Sequence, residues 1–149
     1  MTVRWRESRI EDLGAVSLQL AQREMQLTLE DTPKNRDLVT QYARTWEDDS
    51  GKVLAVVGIF PRWHGVAEAW AHLSEESLKH PITLWRAVKG FLAEGIERYS
   101  LWRVQAVVDS GHEAGHRFIQ RLGFQYEGVM RGYGPTRRDH ALYALVKES

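Results

Sequence analysis

The order of strand-like and helix-like segments is the feature that most limits the fold of this 149-residue chain. After a short first strand at residues 3–6, apolar residues recur at helical spacing in two segments that are broken near residue 33. Strand-like runs then alternate with one long and one short helical segment, which gives the order β-α-α-β-β-β-α-β-α-β-β. No repeat or long linker interrupts this order, so it predicts a single α+β domain over residues 1–149 with helices on both faces of its sheet.

Local residue patterns set the boundaries of several predicted elements. Ser8 and Glu11 have capping-box spacing at the start of the first helix. The turn-forming residues 61–65 join two apolar runs into an antiparallel hairpin, and Pro81 suits the first turn of a long helix. The predicted strands after the first two helices include residues 53–60, 66–73, 102–109, 126–133 and 141–146.

The composition excludes several classes of function. Lys and Arg together number 20, as do Asp and Glu, so the chain has no basic field to hold nucleic acid. The absence of cysteine excludes disulfides, thiolate metal ligands and a cysteine nucleophile. The first residues lack the apolar stretch of a signal peptide, and no run approaches the ~20 apolar residues of a membrane span. We therefore expect a soluble, cytoplasmic domain with no nucleic-acid or membrane partner.

Residues 117–128 form a characteristic helix-to-strand junction. They read RFIQRLGFQYEG, in which Gly123 ends the helix and permits the chain to reverse with positive φ before Phe124 re-enters the core. Together with residues 139–143 as a closing strand, this segment resembles the GNAT N-acetyltransferases, and the resemblance covers essentially the whole chain. It implies the acyl-CoA N-acyltransferase fold, a mixed, mostly antiparallel twisted sheet of six or seven strands. Residues 66–73 and 102–109 are parallel neighbours in that fold.

The resemblance also implies an activity and an alternative to it. The activity is transfer of an acetyl group from acetyl-CoA, as co-substrate, to an amine of a small molecule or a protein. Residues 68–73 and 128–134, however, look most like phage- and prophage-encoded GNAT-like proteins, some of which resemble internal virion proteins. The alternative is therefore a catalytically inactive, virion-associated structural or interaction module, with a virion protein or a second copy of the chain as its partner.

A loop before the long helix corresponds to the family's pyrophosphate-binding loop, Gln/Arg-x-x-Gly-x-Gly/Ala. That loop binds through backbone N–H groups and the positive end of the helix. In this sequence Leu78, Pro81 and Thr83 replace the Gln or Arg and the two small residues. Pro81 has no N–H to donate, whereas Lys79 and His80 offer side-chain charge. We expect this loop to bind acetyl-CoA weakly.

Two further segments match cofactor-contacting positions of the family. The backbone of Ala71, His72 and Leu73, at the end of a strand, corresponds to the groups that hold the pantetheine arm. His112 stands where the family usually has an Asn that contacts CoA. The resemblance thus implies that both segments contact the co-substrate.

One face of the strand at residues 66–73 carries the candidate catalytic groups. Alternation along the strand places Glu68, Trp70 and His72 on one face, opposite a face of mainly small residues. In the family an acid on this strand is often the general base, so Glu68 is the first candidate base and His72 the second. The alternative is that both side chains are structural and bond to each other or to their neighbours.

The family's usual general acid is absent from the last helix. Ile119 stands where a tyrosine is often found. Tyr133 and Tyr143 are candidates to replace that tyrosine, although a tyrosine on a strand more often belongs to the core.

Residues 112–116 match the H-E-x-x-H pattern of zinc hydrolases. On a helix, His112 and His116 would share a face and Glu113 would activate a water molecule. No third ligand follows at the expected spacing, and the predicted helix begins at His112 instead of enclosing the motif. We therefore predict no metal cofactor and keep a zinc hydrolase as the minor alternative.

Overall fold

The computed structural model describes residues 4–15, 33 and 41–148. Their elements are β1 (Arg4–Glu7), α1 (Asp12–Ala15), β2 (Ala43–Glu47), β3 (Val53–Trp63), β4 (Val66–Leu73), a 3₁₀ turn (Ser77–Lys79), α2 (Pro81–Arg98), β5 (Arg103–Asp109), α3 (Glu113–Arg121), β6 (Gln125–Met130) and β7 (His140–Val146). Most of the two N-terminal helical segments predicted from the sequence lies outside the described residues.

Seven strands form one sheet in the order β1-β2-β3-β4-β5-β7-β6. The neighbours β1 and β2, β2 and β3, β5 and β7, and β6 and β7 are antiparallel, whereas β4 and β5 are parallel. The parallel pair joins residues 66–68 to residues 103–105. This mixed, mostly antiparallel sheet confirms the predicted fold class and the predicted parallel neighbours.

β2 is the first strand after the two predicted N-terminal helices. The predicted order of elements includes this strand, but the sequence pattern did not show which residues form it. All of its residues except Arg44 are buried, and Thr45 and Trp46 are fully buried. A strand buried on both faces shows no alternation of polar and apolar residues, so periodicity cannot identify it. Tyr42 is a buried residue directly before this strand.

The hairpin between β3 and β4 turns later than the sequence predicted. β3 continues through Pro61 to Trp63, and the turn consists of His64 and Gly65. Gly65 has φ +83°, and a Cβ there would lie 2.1 Å from the Trp102 ring, so only glycine fits. The predicted turn at residues 61–65 was therefore too long.

The chain divides into two compact units. The first unit comprises Met1–Phe60 and Trp70–Leu84, and the second unit comprises Pro61–Ala69 and Trp85–Ser149. No helix among the described residues is long and apolar enough to cross a membrane.

A small apolar core packs α1 onto the strands of the first unit. Its members are Leu13, Val53 and Val56, with Ile10 and Trp70 packed against them. Gly58 makes room for this packing, because a Cβ at that position would lie 2.3 Å from Cζ2 of Trp70. The close approach of the indole to the backbone of β3 thus requires glycine.

A buried carboxylate fixes the start of α1. Asp12 accepts hydrogen bonds from the two terminal nitrogens of Arg6, at 2.8 and 2.9 Å, and from Thr45 Oγ1 at 2.8 Å. Its Oδ2 also accepts from the backbone N–H of Arg9 at 2.7 Å. The hydroxyl of Ser8, predicted to cap the helix, lies 2.8 Å from Thr45 Oγ1 instead. The predicted capping box was therefore wrong by one residue, since Asp12 bonds back to Arg9.

In the second unit, the junction after α3 forms as the sequence predicted. Gly123 adopts φ +96°, and the flanking Leu122 and Phe124 are both buried. Trp85 Nε1 donates to the carbonyl oxygen of Arg121 at 3.0 Å, which satisfies one of the free carbonyls at the end of the helix. Contacts near Gly123 therefore stabilise the end of α3, the reversal of the chain and the return of Phe124 to the core.

Candidate active site

Glu68, the first candidate base, is held by an ion pair across the hairpin. Arg62 Nε donates to Glu68 Oε2 at 3.0 Å, and a second guanidinium nitrogen bonds the same oxygen. The Glu68 side chain is partly exposed, and that of Arg62 is more so. The structure therefore gives Glu68 a neighbouring side chain as partner, as the structural alternative expected, while one carboxylate oxygen, Oε1, is not part of the pair.

His72, the second candidate base, is buried and uncharged. Only 9% of the residue is exposed, and its Nδ1 has no hydrogen-bond partner among the described residues. Burial lowers the pKa of His72 to about 4. The Trp70 ring lies edge-on to the imidazole with 5.5 Å between ring centroids, and Trp70 Nε1 also lacks a partner. A base with so low a pKa is poorly matched to proton removal near pH 7, so His72 remains second to Glu68.

The segment between β4 and α2 is a rigid, internally bonded turn. Ser77 Oγ donates to the carbonyl oxygen of Ser74 at 2.6 Å, and the backbone N–H of Ser77 donates to Ser74 Oγ at 3.1 Å. The backbone N–H of Ser74 in turn donates to the carbonyl oxygen of Leu54 at 3.0 Å. Both serines are buried. This turn fixes the direction in which the chain leaves Ala71–Leu73 and enters the helix.

In the part of the chain that the structure describes, the first turn of α2 leaves two backbone donors without a partner. The first four N–H groups of a helix have no partner within it. Pro81 has no N–H, and the N–H of Leu84 is used by the carbonyl oxygen of His80 at 3.0 Å. The amides of Ile82 and Thr83 remain, and both residues are exposed. This helix start therefore offers two donors and a positive partial charge.

The side chains predicted to assist this helix start differ in their surroundings. Lys79 is exposed, whereas Leu78 and His80 are half-buried. The His80 ring packs edge-on against Trp46 with ring centroids 6.4 Å apart. Lys79 is thus the cation that solvent reaches most readily in this turn.

His112 precedes α3 and makes no side-chain hydrogen bond that caps it. Its ring lies over the first turn, where a Cβ on Gly115 would be 2.5 Å from His112 Nδ1. Burial lowers the pKa of His112, and the nearby Asp109 carboxylate opposes the change. The half-buried imidazole therefore lies beside the start of α3.

His116, the second histidine of the H-E-x-x-H match, uses both ring nitrogens within the fold. Its Nε2 lies 3.0 Å from the carbonyl oxygen of Ser110, which can only accept, so Nε2 donates. In the neutral ring Nδ1 then accepts from the Tyr143 hydroxyl at 2.7 Å. In the part of the chain that the structure describes, no three His, Asp or Glu side chains are grouped to hold a metal ion. His116 thus links α3 to Ser110 and to Tyr143 of β7.

The two tyrosines proposed as general acids lie in contrasting places. Tyr143 is buried under α3, and its hydroxyl also accepts from Gln120 Nε2 at 3.4 Å. Tyr133 lies in the loop between β6 and β7, is half exposed, and packs edge-on against His140 with ring centroids 5.5 Å apart. Of the two hydroxyls, that of Tyr133 is the one that a substrate can reach.

An ion pair that the sequence pattern did not identify anchors the loop of Tyr133. Arg138 donates two hydrogen bonds to the Asp109 carboxylate, at 2.6 and 2.8 Å. The bonds from Arg138 outweigh the effect of burial and lower the pKa of Asp109 to about 2. The backbone N–H of Ser110 donates to the carbonyl oxygen of Asp139 at 3.0 Å. The partners are too distant in sequence for spacing to predict them, and together they tie the loop to the start of α3.

Comparison with known proteins gives a consistent result for the fold. An acetyltransferase of the GNAT family from Bacillus anthracis superposes with a TM-score of 0.73 at 12% identity, over 99% of this chain and 96% of that one. The ribosomal-protein-S5-alanine acetyltransferase from Vibrio fischeri superposes with a TM-score of 0.70 at 16% identity, over 99% and 94%. The chain has the GNAT fold. At these identities the likeness shows the fold alone.

Sequence comparison adds one curated relative. An uncharacterized N-acetyltransferase of Bacillus subtilis (strain 168), YoaA, is 36% identical in a match that covers 42% of this chain and 41% of the relative. The match therefore spans about two fifths of the relative's length. No protein-family model matches the chain.

Proposed function

We propose that this protein is a GNAT-type N-acyltransferase that moves an acetyl group from acetyl-CoA to the amine of a small molecule or a protein. The GNAT fold and the relative named as an N-acetyltransferase support this proposal. The single observation that carries it is the first turn of α2, where the fold leaves donors for an anion.

The residues at this turn fit the pyrophosphate of acetyl-CoA. The amides of Ile82 and Thr83 supply two N–H donors at the positive end of an 18-residue helix. Lys79 adds a mobile cation, and the Ser74–Ser77 bonds hold the backbone in place. When bound, acetyl-CoA supplies the acetyl thioester. With Pro81 in the loop there are fewer amides than a glycine-rich loop offers, so the binding is weak.

Glu68 accepts the proton that the amine loses, directly or through a water molecule. Its ion pair with Arg62 uses Oε2 and fixes the carboxylate in one orientation, which leaves Oε1 for the proton. Tyr133, with its exposed hydroxyl in the loop tied down by Arg138, is the proposed general acid. His72 stays neutral and contributes hydrogen-bonding capacity through Nδ1.

Calorimetry with coenzyme A tests the binding half of this proposal. We expect a dissociation constant of about 10⁻⁵–10⁻³ M for the wild type. Lys79→Ala should weaken binding about threefold to tenfold, because it removes one exposed charge-assisted contact. Lys147→Ala, which removes an exposed lysine near the end of the chain, is the matched control and should bind like the wild type. No heat of binding at millimolar coenzyme A would contradict the proposal and favour a non-catalytic module with the GNAT fold.

A further inference from the structure

β6 lies at the edge of the sheet and carries no lysine or proline. It is last in the sheet order and, among the described residues, pairs only with β7. Edge strands present unpaired N–H and C=O groups, and proteins commonly protect them with lysine, proline or a covering element. β6 reads QYEGVM and has neither lysine nor proline. Its single charge, Glu127, is paired with Arg103 at 2.6 and 2.9 Å. Among the described residues, this edge therefore pairs only with β7 and carries no unpaired charge.

A bulge gives this strand an apolar face. Tyr126 lies opposite Tyr143, but Gly128 lies opposite Leu142, so Glu127 is an extra residue in the ladder. Gly128 has φ +155°, which side-chain-bearing residues rarely adopt. Residues three apart in a regular strand point to opposite faces, whereas the bulge places Tyr126 and Val129 on the same face. Tyr126 is 56% exposed and Val129 is 53% exposed.

We infer that a second copy of this chain pairs with β6 in an antiparallel, two-fold symmetric arrangement centred between Glu127 and Gly128. In this register Tyr126 of one copy lies beside Val129 of the other, and the contact occurs twice. Residues that lie opposite each other in an antiparallel pair share a face of the sheet. The bulge meets this condition because it places Tyr126 and Val129 on the same face. The two Glu127 carboxylates lie opposite glycines, and each keeps its Arg103 partner, which balances its charge. The strand is thus complementary to itself, which is what an isologous dimer requires.

The size of the contact predicts a weak dimer. A standard stable interface buries ~800 Å² per partner, which is more than a six-residue edge with two exposed apolar side chains supplies. The dimer should therefore dissociate at about 10⁻⁶–10⁻⁴ M, within reach of sedimentation equilibrium. This inference does not depend on the proposed acyltransferase activity.

Sedimentation equilibrium from about 1 µM to 1 mM protein tests the dimer, a range set by that expected affinity. The wild type should show a monomer–dimer equilibrium. Val129→Lys should weaken it at least about tenfold, because two apolar cross-strand contacts are lost and two ammonium groups enter the interface. Val146→Lys, at a site on β7 with a similar exposure of 54%, is the matched control and should associate like the wild type.

A second substitution guards against misfolding of the lysine variant. Val129→Thr keeps the β-branched shape that suits a strand and should weaken the dimer by a smaller factor. A wild type that stays monomeric up to 1 mM would overturn the inference, as would a dimer that Val129→Lys leaves intact. If Val146→Lys disrupts the dimer as strongly as Val129→Lys, the interface is not the β6 edge.

Discussion

Replacing the buried His72 should change how stability depends on pH. Burial lowers the pKa of His72 from 6.5 to about 4, so the folded state binds a proton less readily than the unfolded state between these values. The free energy of unfolding should therefore be unaffected by this group above pH 6.5 and should fall as the pH drops from 6.5 to 4. At 1.36 kcal/mol for each pKa unit, the full contribution is on the order of 3 kcal/mol.

His72→Leu removes the titration while keeping a side chain of similar volume in an apolar site. Because Nδ1 has no hydrogen-bond partner to lose within the described ranges, the variant should match the wild type within about 1 kcal/mol at pH 7.5. Between pH 6.5 and pH 4 it should lose about 3 kcal/mol less than the wild type. Urea unfolding at a series of pH values, followed by tryptophan fluorescence, measures both quantities.

The matched control is His64→Leu, since it removes an imidazole that solvent reaches at the hairpin turn. This variant keeps His72, so its free energy of unfolding should still fall between pH 6.5 and pH 4. Parallel curves for the wild type and His72→Leu between pH 6.5 and pH 4 would refute the reasoning, because burial would then not be acting on the His72 proton.

Two glycine substitutions test the packing of the fold and should have opposite signs. Gly58→Ala should destabilise the protein by about 1–3 kcal/mol, because the new Cβ would lie 2.3 Å from the Trp70 ring. Gly90→Ala should stabilise it by about 0.5–1 kcal/mol, since Gly90 lies within α2 with no atom within 4 Å of an added Cβ. Thermal unfolding measures both, and a stabilised Gly58→Ala would show that the indole moves aside freely.

The sequence predicted the elements whose signals are local and periodic. The junction at Gly123 combines a helix end with a positive φ, and both are encoded within a few residues. The parallel neighbours β4 and β5 came from the family resemblance. β2 was given no range because continuous burial removes the alternation that marks a strand.

The contacts of the candidate site depend on pairing between distant segments, which spacing does not reveal. Arg138 lies in the loop between β6 and β7 and pairs with Asp109 at the end of β5, and only the fold brings these two residues together. His116 matches a zinc motif by its letters, yet its ring nitrogens bond to Ser110 and Tyr143. Arg62 pairs with Glu68 because the two residues lie on the two strands of the β3–β4 hairpin. The turn of this hairpin was predicted to be longer than it is, so the sequence did not reveal the pair. Candidate residues could be named from the sequence, but their partners decide their roles.

Transfer of radiolabelled acetyl from acetyl-CoA to a panel of small-molecule and peptide amines tests the proposed function most directly. We expect the wild type to label at least one amine. We further expect Glu68→Gln to lower turnover by ~10²–10⁴-fold while the melting temperature barely changes, because the amide cannot accept the proton. A wild type that binds coenzyme A but labels no amine, or a Glu68→Gln variant as active as the wild type, would contradict it.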